Sequence, residues 1–522
     1  MADVKIKKLN DTWMSVKCAE THMEIEISER FSFEVEDAKF DPRVKRGQWD
    51  GVKRLYNRVH KRMYVGLLLE LVKFLAKQGY TYEIDKALVA KDAVDMADIV
   101  AVTQNFIRPH MKGEPLEPYD YQYEAVHYML NAGRSICLAA TSAGKSMVLY
   151  LAIRMYQLSD DMDDKKIIVV VPSKMLVEQL YADFEEYSKF DGAKWHVSTF
   201  CQKISGKYSK FVNKQVVITT WQSLSGMPNE VIADAGAIFV DEVHTIKGPV
   251  LAGLLENAVN CGVRHGLTGT LDGLEANELA AQGLMGPAKR IVTAREIIDA
   301  GRATEVEIMV VVVDYDAATK LAYYKDQIVA KQLAKRTGDK GLPYRHEVEF
   351  INGLKSRFRY IQDLVLALRN NTIVLFSRKD GYGVPLYEDM KARHANTFLI
   401  SGDVGDDERE AIRLSLENYV DAKVYATDKI MSTGVSIKNL HNMVFANSSK
   451  AKIKVIQSIG RLMRLHSSKD KALLIDIVDK LDYNGAANMT MKHVEERIKM
   501  YAAEKYKVRF VTVHLKEEQY DQ

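Results

Sequence analysis

Cysteine is scarce in this 522-residue chain. The four present, Cys18, Cys137, Cys201 and Cys261, are scattered without a Cys-x-x-Cys pair, which argues against a zinc site and a disulfide framework and for a reducing, cytosolic setting. A large surplus of one charge is also missing. With a net charge of only +3 there is no uniformly basic coat, so any grip on nucleic acid must come from local patches. No window approaches the roughly 18 apolar residues of a membrane span. The opening MADVKIKKLNDTW lacks the apolar core of a signal peptide. Low-complexity segments and internal repeats are absent as well. What is there is a globular composition, 47% hydrophobic and 27% charged. The length suffices for roughly two to four domains that each bury a core.

The densest chemistry begins at Ser135. A short apolar run, 136–139, leads through small residues to Gly144-Lys145-Ser146 and an apolar-periodic segment, 147–156. This order predicts strand, phosphate loop and helix. Backbone N–H groups of Thr141, Ser142, Ala143 and Gly144 can converge on phosphate oxygens at a helix N-terminus, Lys145 can reach the β- and γ-phosphates, and the Ser146 hydroxyl can hold Mg²⁺. Ala139 stands where such loops usually open with glycine. Downstream, 166–171 is a β-branched run that predicts a strand buried on both faces, followed by strands at 216–220 and 237–240. Parallel α/β architecture follows, with ligands at the carboxyl ends of the strands. The strand at 237–240 delivers Asp241-Glu242-Val243-His244. Behind a phosphate loop, such paired carboxylates let Asp241 hold Mg²⁺ through water and Glu242 orient and deprotonate the attacking water.

From about residue 300 a second α/β unit is expected, with strands at 306–313, 372–376, 398–400 and 423–426 and helices at 317–335 and 354–369. It has no phosphate loop. Gln457 precedes Arg461 and Arg464, which are three apart on an expected helix, share a face and can complete an ATP site as arginine fingers. At the other end, residues 1–95 predict a small α+β module. Alternation at Val4 and Ile6, at Met23, Ile25 and Ile27, and at Phe31, Phe33 and Val35 predicts short strands, and 66–75 an amphipathic helix. Between Arg43 and Arg62 eight Lys/Arg stand against one acid. Arg43, Lys45, Arg46, Lys53 and Arg54, interleaved with Trp49, can grip phosphates and stack on bases. Residues 96–117 read as a linker and 483–522 as a helical C-terminal extension.

ATSAGKS, VVVPSK, TTWQS, DEVH, LTGT, TIVLFSRK, ATDKIMSTGVSI and QSIGRLMR, in this order, resemble the motifs of superfamily 2 helicases of the DExH type over residues 118–475. FDPRVKRGQWDGVKRLYNR followed by GLLLEL is similar to the N-terminal module of the UvsW-type recombination helicases of T-even-like tailed phages. The resemblance implies an α/β fold of two RecA-like parallel-sheet motor domains, 118–295 and 296–482, with a small N-terminal α+β nucleic-acid-binding domain. It implies ATP and Mg²⁺ as cofactors, and Lys145, Asp241, Glu242, His244, Gln457, Arg461 and Arg464 as catalytic residues. Gln122 would read adenine, Gly434 would complete the nucleotide site, and Thr268 and Thr270 would couple nucleotide state to nucleic-acid grip. Ser173, Lys174, Thr220, Trp221, Gln222, Arg378, Lys379 and Thr427 would lie along the bound strand. Ser436 stands where many relatives carry aspartate.

The implied work is an ATP-dependent remodelling of branched DNA in phage recombination, repair and replication: Holliday junction migration, fork regression and R-loop unwinding. Branched or single-stranded DNA, RNA–DNA hybrids and a single-strand-binding protein are the implied partners, in the cytoplasm of an infected bacterium. Two other readings use the same motifs. One is the motor of a restriction-type translocase, against which the sequence offers no nuclease constellation. The other is an ATP-responsive annealing protein, separable by strand displacement with and without ATP.

Overall fold

The β-branched run Lys166–Val171 forms a strand buried on both faces in this computed structural model: Ile167, Val169 and Val171 enter one core, Ile168 and Val170 the other. The structure describes residues 2–517 apart from 36–37, 39–40, 90–92, 160–161, 193, 207–210, 272, 402–411, 413–414, 428–436, 448–451 and 484. The chain divides into two units, Met1–Val292 and Thr293–Gln522. Among the described residues no helix is long and apolar enough to cross a membrane.

The first unit opens with β1 (Val4–Lys8), β2 (Trp13–Cys18), the ribbon strands β3 (Ser32–Glu34) and β4 (Val52–Arg54), then β5 (Tyr56–Asn57), β6 (Arg62–Tyr64) and β7 (Tyr82–Ile84). Its sheet runs β5-β6-β2-β1-β7. The strand expected at Met23, Ile25 and Ile27 is instead part of a helix, Thr21–Arg30. Met23 and Ile27 are buried while Ile25 is 39% exposed. Residues four apart share a face in both a helix and a strand, so an alternation this short fits either. Residues 96–117, expected to be a linker, form the helix Met96–Val102 and the hairpin β8 (His110–Met111) and β9 (Glu114–Pro115). They bury Ile99 and Ile107 in the motor core, which a free connector would not do.

The motor sheet comprises β10 (Arg134–Ala139), β11 (Lys166–Val171), β12 (Cys201–Ile204), β13 (Val216–Thr220), β14 (Ala235–Asp241), β15 (Val263–Thr268) and β16 (Ala288–Val292). All pair in parallel, in the order β12-β13-β11-β14-β15-β10-β16. β15 therefore lies between the strand that feeds the phosphate loop and the strand that ends in Asp241.

β15 also fastens the N-terminal module to this sheet. Arg264, fully buried, donates to the carbonyls of Leu255, Ala258, Cys261 and Leu284 and, at 2.7 Å, to the Thr12 hydroxyl. Arg134 reaches the carbonyls of Asp11 and Cys261. Gly66 meets the helix Glu275–Met285 so closely that a Cβ would run into the carbonyls of Gln282 and Gly283. Leu279 and Ala280 of that helix belong to the N-terminal core.

The second unit holds β17 (Glu305–Tyr315), β18 (Thr372–Phe376), β19 (Thr397–Ile400), β20 (Lys423–Thr427), β21 (Asn442–Phe445), β22 (Lys471–Lys480) and β23 (Lys507–Leu515). These too are parallel, in the order β19-β20-β18-β21-β22-β17-β23. The helical extension expected at 483–522 is thus corrected. Its described residues hold the helix Met489–Ala503 and then β23, which pairs with β17 from Glu307 to Tyr315. The β-branched residues Val508, Val511, Thr512 and Val513 and the 2.7 Å Arg509–Glu307 ion pair favour the strand.

His265, next to Arg264, is fully buried with Nδ1 2.8 Å from the Ser135 hydroxyl and Nε2 2.8 Å from the Tyr156 hydroxyl. Burial, aided by the Arg134 charge, pushes its pKa down to about 3. An unfolded chain would protonate this ring below about pH 6.5 while the folded chain would not, so stability should fall as pH drops from there, by about 1.4 kcal/mol per unit. Urea midpoints at pH 7 and pH 5.5 should differ more for the native chain than for His265→Gln; equal differences would remove His265 from the acid response.

Candidate active site

The loop between β10 and the helix Lys145–Gln157 turns through two left-handed residues, Ser142 (φ 73°) and Gly144 (φ 71°). Glycine suits 144 for the positive φ, and a Cβ there would also push on the Gln122 amide. Gln122 accepts from the Tyr119 N–H at 2.9 Å and donates to the carbonyls of Ala143 at 3.0 Å and Gly144 at 3.4 Å. The side chain expected to read adenine here braces the phosphate loop, and taking a base would mean giving up those bonds. Ser146 Oγ lies 2.9 Å from the Tyr187 hydroxyl, a neighbour in none of the sequence motifs and carrying no signal of its own.

Across β15, Asp241 ends β14 and Glu242 turns the chain with φ 54°. Asp241 Oδ1 accepts the Glu242 N–H at 3.0 Å. Glu242 Oε2 accepts the Thr268 hydroxyl at 3.1 Å and lies 3.2 Å from His244 Nδ1, which is itself 3.0 Å from Thr268 Oγ1. Thr268 Oγ1 is also 3.0 Å from the Thr270 carbonyl, and its single proton can serve only one of the two acceptors. The Thr270 hydroxyl donates to the Leu271 carbonyl. Burial and the Glu242 charge push the Asp241 carboxyl up. Burial acts the same way on Glu242, but the hydrogen bond from His244 and the Lys145 charge outweigh it and hold that carboxyl low. Glu242 is therefore the more acidic carboxyl of the pair.

In the second unit, Gln457 and Arg461 lie on the helix Lys452–Leu462. Arg464, expected on the same helix, falls beyond its end. Thr304 draws the chain away there, its N–H donating to the Met463 carbonyl at 2.8 Å and its hydroxyl to the Arg464 carbonyl at 3.0 Å. The last turn closes with the Met463 N–H on the Ile459 carbonyl at 3.0 Å and the Arg464 N–H on the Arg461 carbonyl at 3.4 Å. Gly434 and Ser436 lie outside the described residues.

Ser173 and Thr220 cap the helices Lys174–Tyr187 and Trp221–Leu224 with their hydroxyls, both at 3.3 Å, at the carboxyl ends of β11 and β13. Beside them Lys174 and Gln222 are exposed and Trp221 is half-buried. Arg378, just past β18, pairs with Glu349 at 2.8 Å; Lys379 starts the next turn and Thr427 closes β20.

The N-terminal patch is less open than its composition predicts. Arg43 is doubly bonded to Asp41 and sits 4.9 Å over the Trp49 ring, whose Nε1 donates to the Val52 carbonyl at 2.9 Å. Trp49 is half-buried and outside the N-terminal core. Arg54 pairs with Asp50. Lys53, expected to face DNA, is half-buried; burial lowers its pKa, against the opposing pull of the Glu256 charge on the motor. Lys45 and Arg46 stand exposed.

Residues 115–273 match the family of the type III restriction enzyme res subunit, and residues 3–85 that of the DNA helicase UvsW N-terminal domain. The ATP-dependent DNA helicase UvsW of enterobacteria phage T4 is 30% identical, over 98% of this chain and 100% of its own. This chain belongs to the UvsW family of ATP-dependent DNA helicases. The crystal structure of T4 UvsW, 28% identical, covers 98% of this chain and 99% of its own with a TM-score of 0.51. Dbp5 of S. cerevisiae, bound to RNA and ADP BeF3, shares the fold at 13% identity, with a TM-score of 0.50 over 80% of this chain and 93% of its own.

For a UvsW-family ATPase the ring of Glu242, His244 and Thr268 fixes one carboxylate at the end of the sheet. Thr268→Val keeps the shape and deletes the hydroxyl. ATP turnover should fall roughly 10-fold or more with KM little changed, as for an interaction that matters in the transition state. Normal turnover in saturating DNA would mean that the Thr268 hydroxyl does not position Glu242.

Proposed function

We propose that this helicase remodels branched DNA in phage recombination, repair and replication, migrating Holliday junctions, regressing forks and unwinding R-loops. The fastening of the basic N-terminal module to the ATPase sheet carries this reading. Arg264, which holds Thr12, and Thr268, which holds Glu242, sit on the same strand. A patch so attached moves with the sheet and can hold one DNA arm while the motor works on another.

In the proposed cycle, the N–H groups of Thr141 to Gly144 and the Lys145 ammonium clamp the phosphates, and Glu242 orients and deprotonates the attacking water while His244 and Thr268 keep it in position. Gln457, Arg461 and Arg464 supply the second unit's share, the arginines meeting transition-state charge when the units close on ATP. Asp241 and the Ser146 hydroxyl suit Mg²⁺, a hard cation that takes one or two carboxylates and keeps phosphate and water ligands. Bound there, it would neutralise phosphate charge. Lys174, Trp221, Gln222, Arg378, Lys379 and Thr427 follow the tracked strand, with Ser173 and Thr220 presenting their helix ends to it. Lys45, Arg46 and Trp49 meet the other arm. The setting is the infected bacterial cytoplasm, where a single-strand-binding protein would cover the strand released.

Unwinding of a synthetic Holliday junction, a fork, an R-loop and a plain tailed duplex, with and without ATP, tests this. Faster ATP-dependent action on the branched substrates supports it; action on the tailed duplex alone sinks it. Glu242→Gln should lower hydrolysis by roughly 10²-fold while DNA binding with ATP persists. Lys45→Glu with Arg46→Glu should weaken fork binding and flatten log K against log[salt] by about 0.7–0.9 for each phosphate no longer neutralised. An unchanged slope would make the patch a solvated face.

A further inference from the structure

The helix Ala317–Thr337 carries a surface that none of the helicase motifs uses. Of its 21 residues, only Thr319, Tyr323, Gln327 and Ala330 are buried, one stripe at helical spacing. The helix forms a hairpin with Leu342–Gly353 and is held firmly. Tyr323 donates to Glu347 at 2.6 Å, Gln327 to the Pro343 carbonyl at 3.1 Å, and Lys320 pairs with Asp314 at 2.7 Å and Asp482 at 3.0 Å. Glu347, fully buried, also accepts the N–H groups of Met489 at 3.0 Å and Thr490 at 2.7 Å, anchoring the hairpin to the helix Met489–Ala503.

Away from that stripe stand Lys325, Lys331, Lys335 and Arg336, all exposed, followed at the tip by exposed Lys340. The acids around them are committed: Asp326 lies 3.3 Å from His346, and Asp339 pairs with Arg345. Aliphatic Leu321, Ile328, Val329 and Leu333 lie among the cations, and the exposed aromatic, Tyr324, is stacked on Tyr483 at 4.6 Å. Single strands are gripped by open aromatic platforms, which this surface lacks. A helix roughly 30 Å long that carries cations along its exposed side matches instead the regular phosphates of a duplex. The hairpin is also continuous with the end of β18. Glu349 pairs with Arg378, and Tyr344, Arg345 and Val348 join Ser377 and Arg378 in lining a cavity of about 290 Å³.

We propose that the outer face and tip of this hairpin bind the phosphate backbone of duplex DNA. The test is the full-length variant K331Q/K335Q/R336Q/K340Q, in which glutamine keeps the helix propensity of the residues replaced within the helix. Binding to a blunt duplex and to oligo(dT) is followed by fluorescence anisotropy over a salt series. Duplex affinity at low salt should fall roughly 10-fold or more, and its salt slope by about 0.9 for every phosphate that the variant leaves unneutralised. Binding to oligo(dT) and the ATPase activity that it stimulates should hold. Unchanged duplex affinity and slope, or equal losses on duplex and oligo(dT), would overturn the proposal. So would a dimer that the triple variant L321S/I328S/L333S turns into a monomer in sedimentation, because the face would then lie between two copies.

Discussion

Burying a guanidinium without a carboxylate partner costs several kcal/mol unless its N–H groups all find acceptors. Arg264 meets that condition with four carbonyls and the Thr12 hydroxyl, and the organisation of the first unit depends on it. The acceptors come from a helix end, the turn before β15, the helix Glu275–Met285 and the N-terminal module. None of these can shift alone without leaving a buried polar group unpaired, at about 1–3 kcal/mol each. That constraint makes a small module with a modest core a fixed part of the motor.

The same strand organises the chemistry. Arg264 holds the N-terminal module, His265 bonds Ser135 on β10 and Tyr156 on the phosphate-loop helix, and Thr268 bonds Glu242 at the end of β14. Because β15 pairs with both β10 and β14, the phosphate loop and the water-orienting carboxylate are held to one reference. Sheet order thus does for the first unit what no single motif could: it brings residues far apart in the chain to one edge. In the second unit Glu347 plays a comparable part, tying the hairpin that follows β17 to the helix that precedes β23.

Membership of the UvsW family explains why the motifs read so clearly and why the N-terminal patch read too simply. Phosphate binding needs a particular short loop, so its chemistry is local and visible as Gly144-Lys145-Ser146. A charge patch is only a composition. Asp41 and Asp50 decide which of its cations are engaged, and half-buried Lys53 feels the charge of Glu256, which lies on the motor, far along the chain.

The sequence by itself determined the elements whose signal is local: the buried strands at 166–171, 216–220 and 372–376, the phosphate loop, and the carboxylates that close β14. These follow from periodicity, from backbone freedom at Gly144 and from the number of faces that a strand buries. Tertiary structure alone decided whether Met23, Ile25 and Ile27 form a helix or a strand, since their spacing serves both. It also turned the expected C-terminal extension into a sheet edge beside β17, and committed Gln122 to the phosphate loop. Each of these depends on a partner far along the chain, and a partner's identity is not written in the spacing of the residues that meet it.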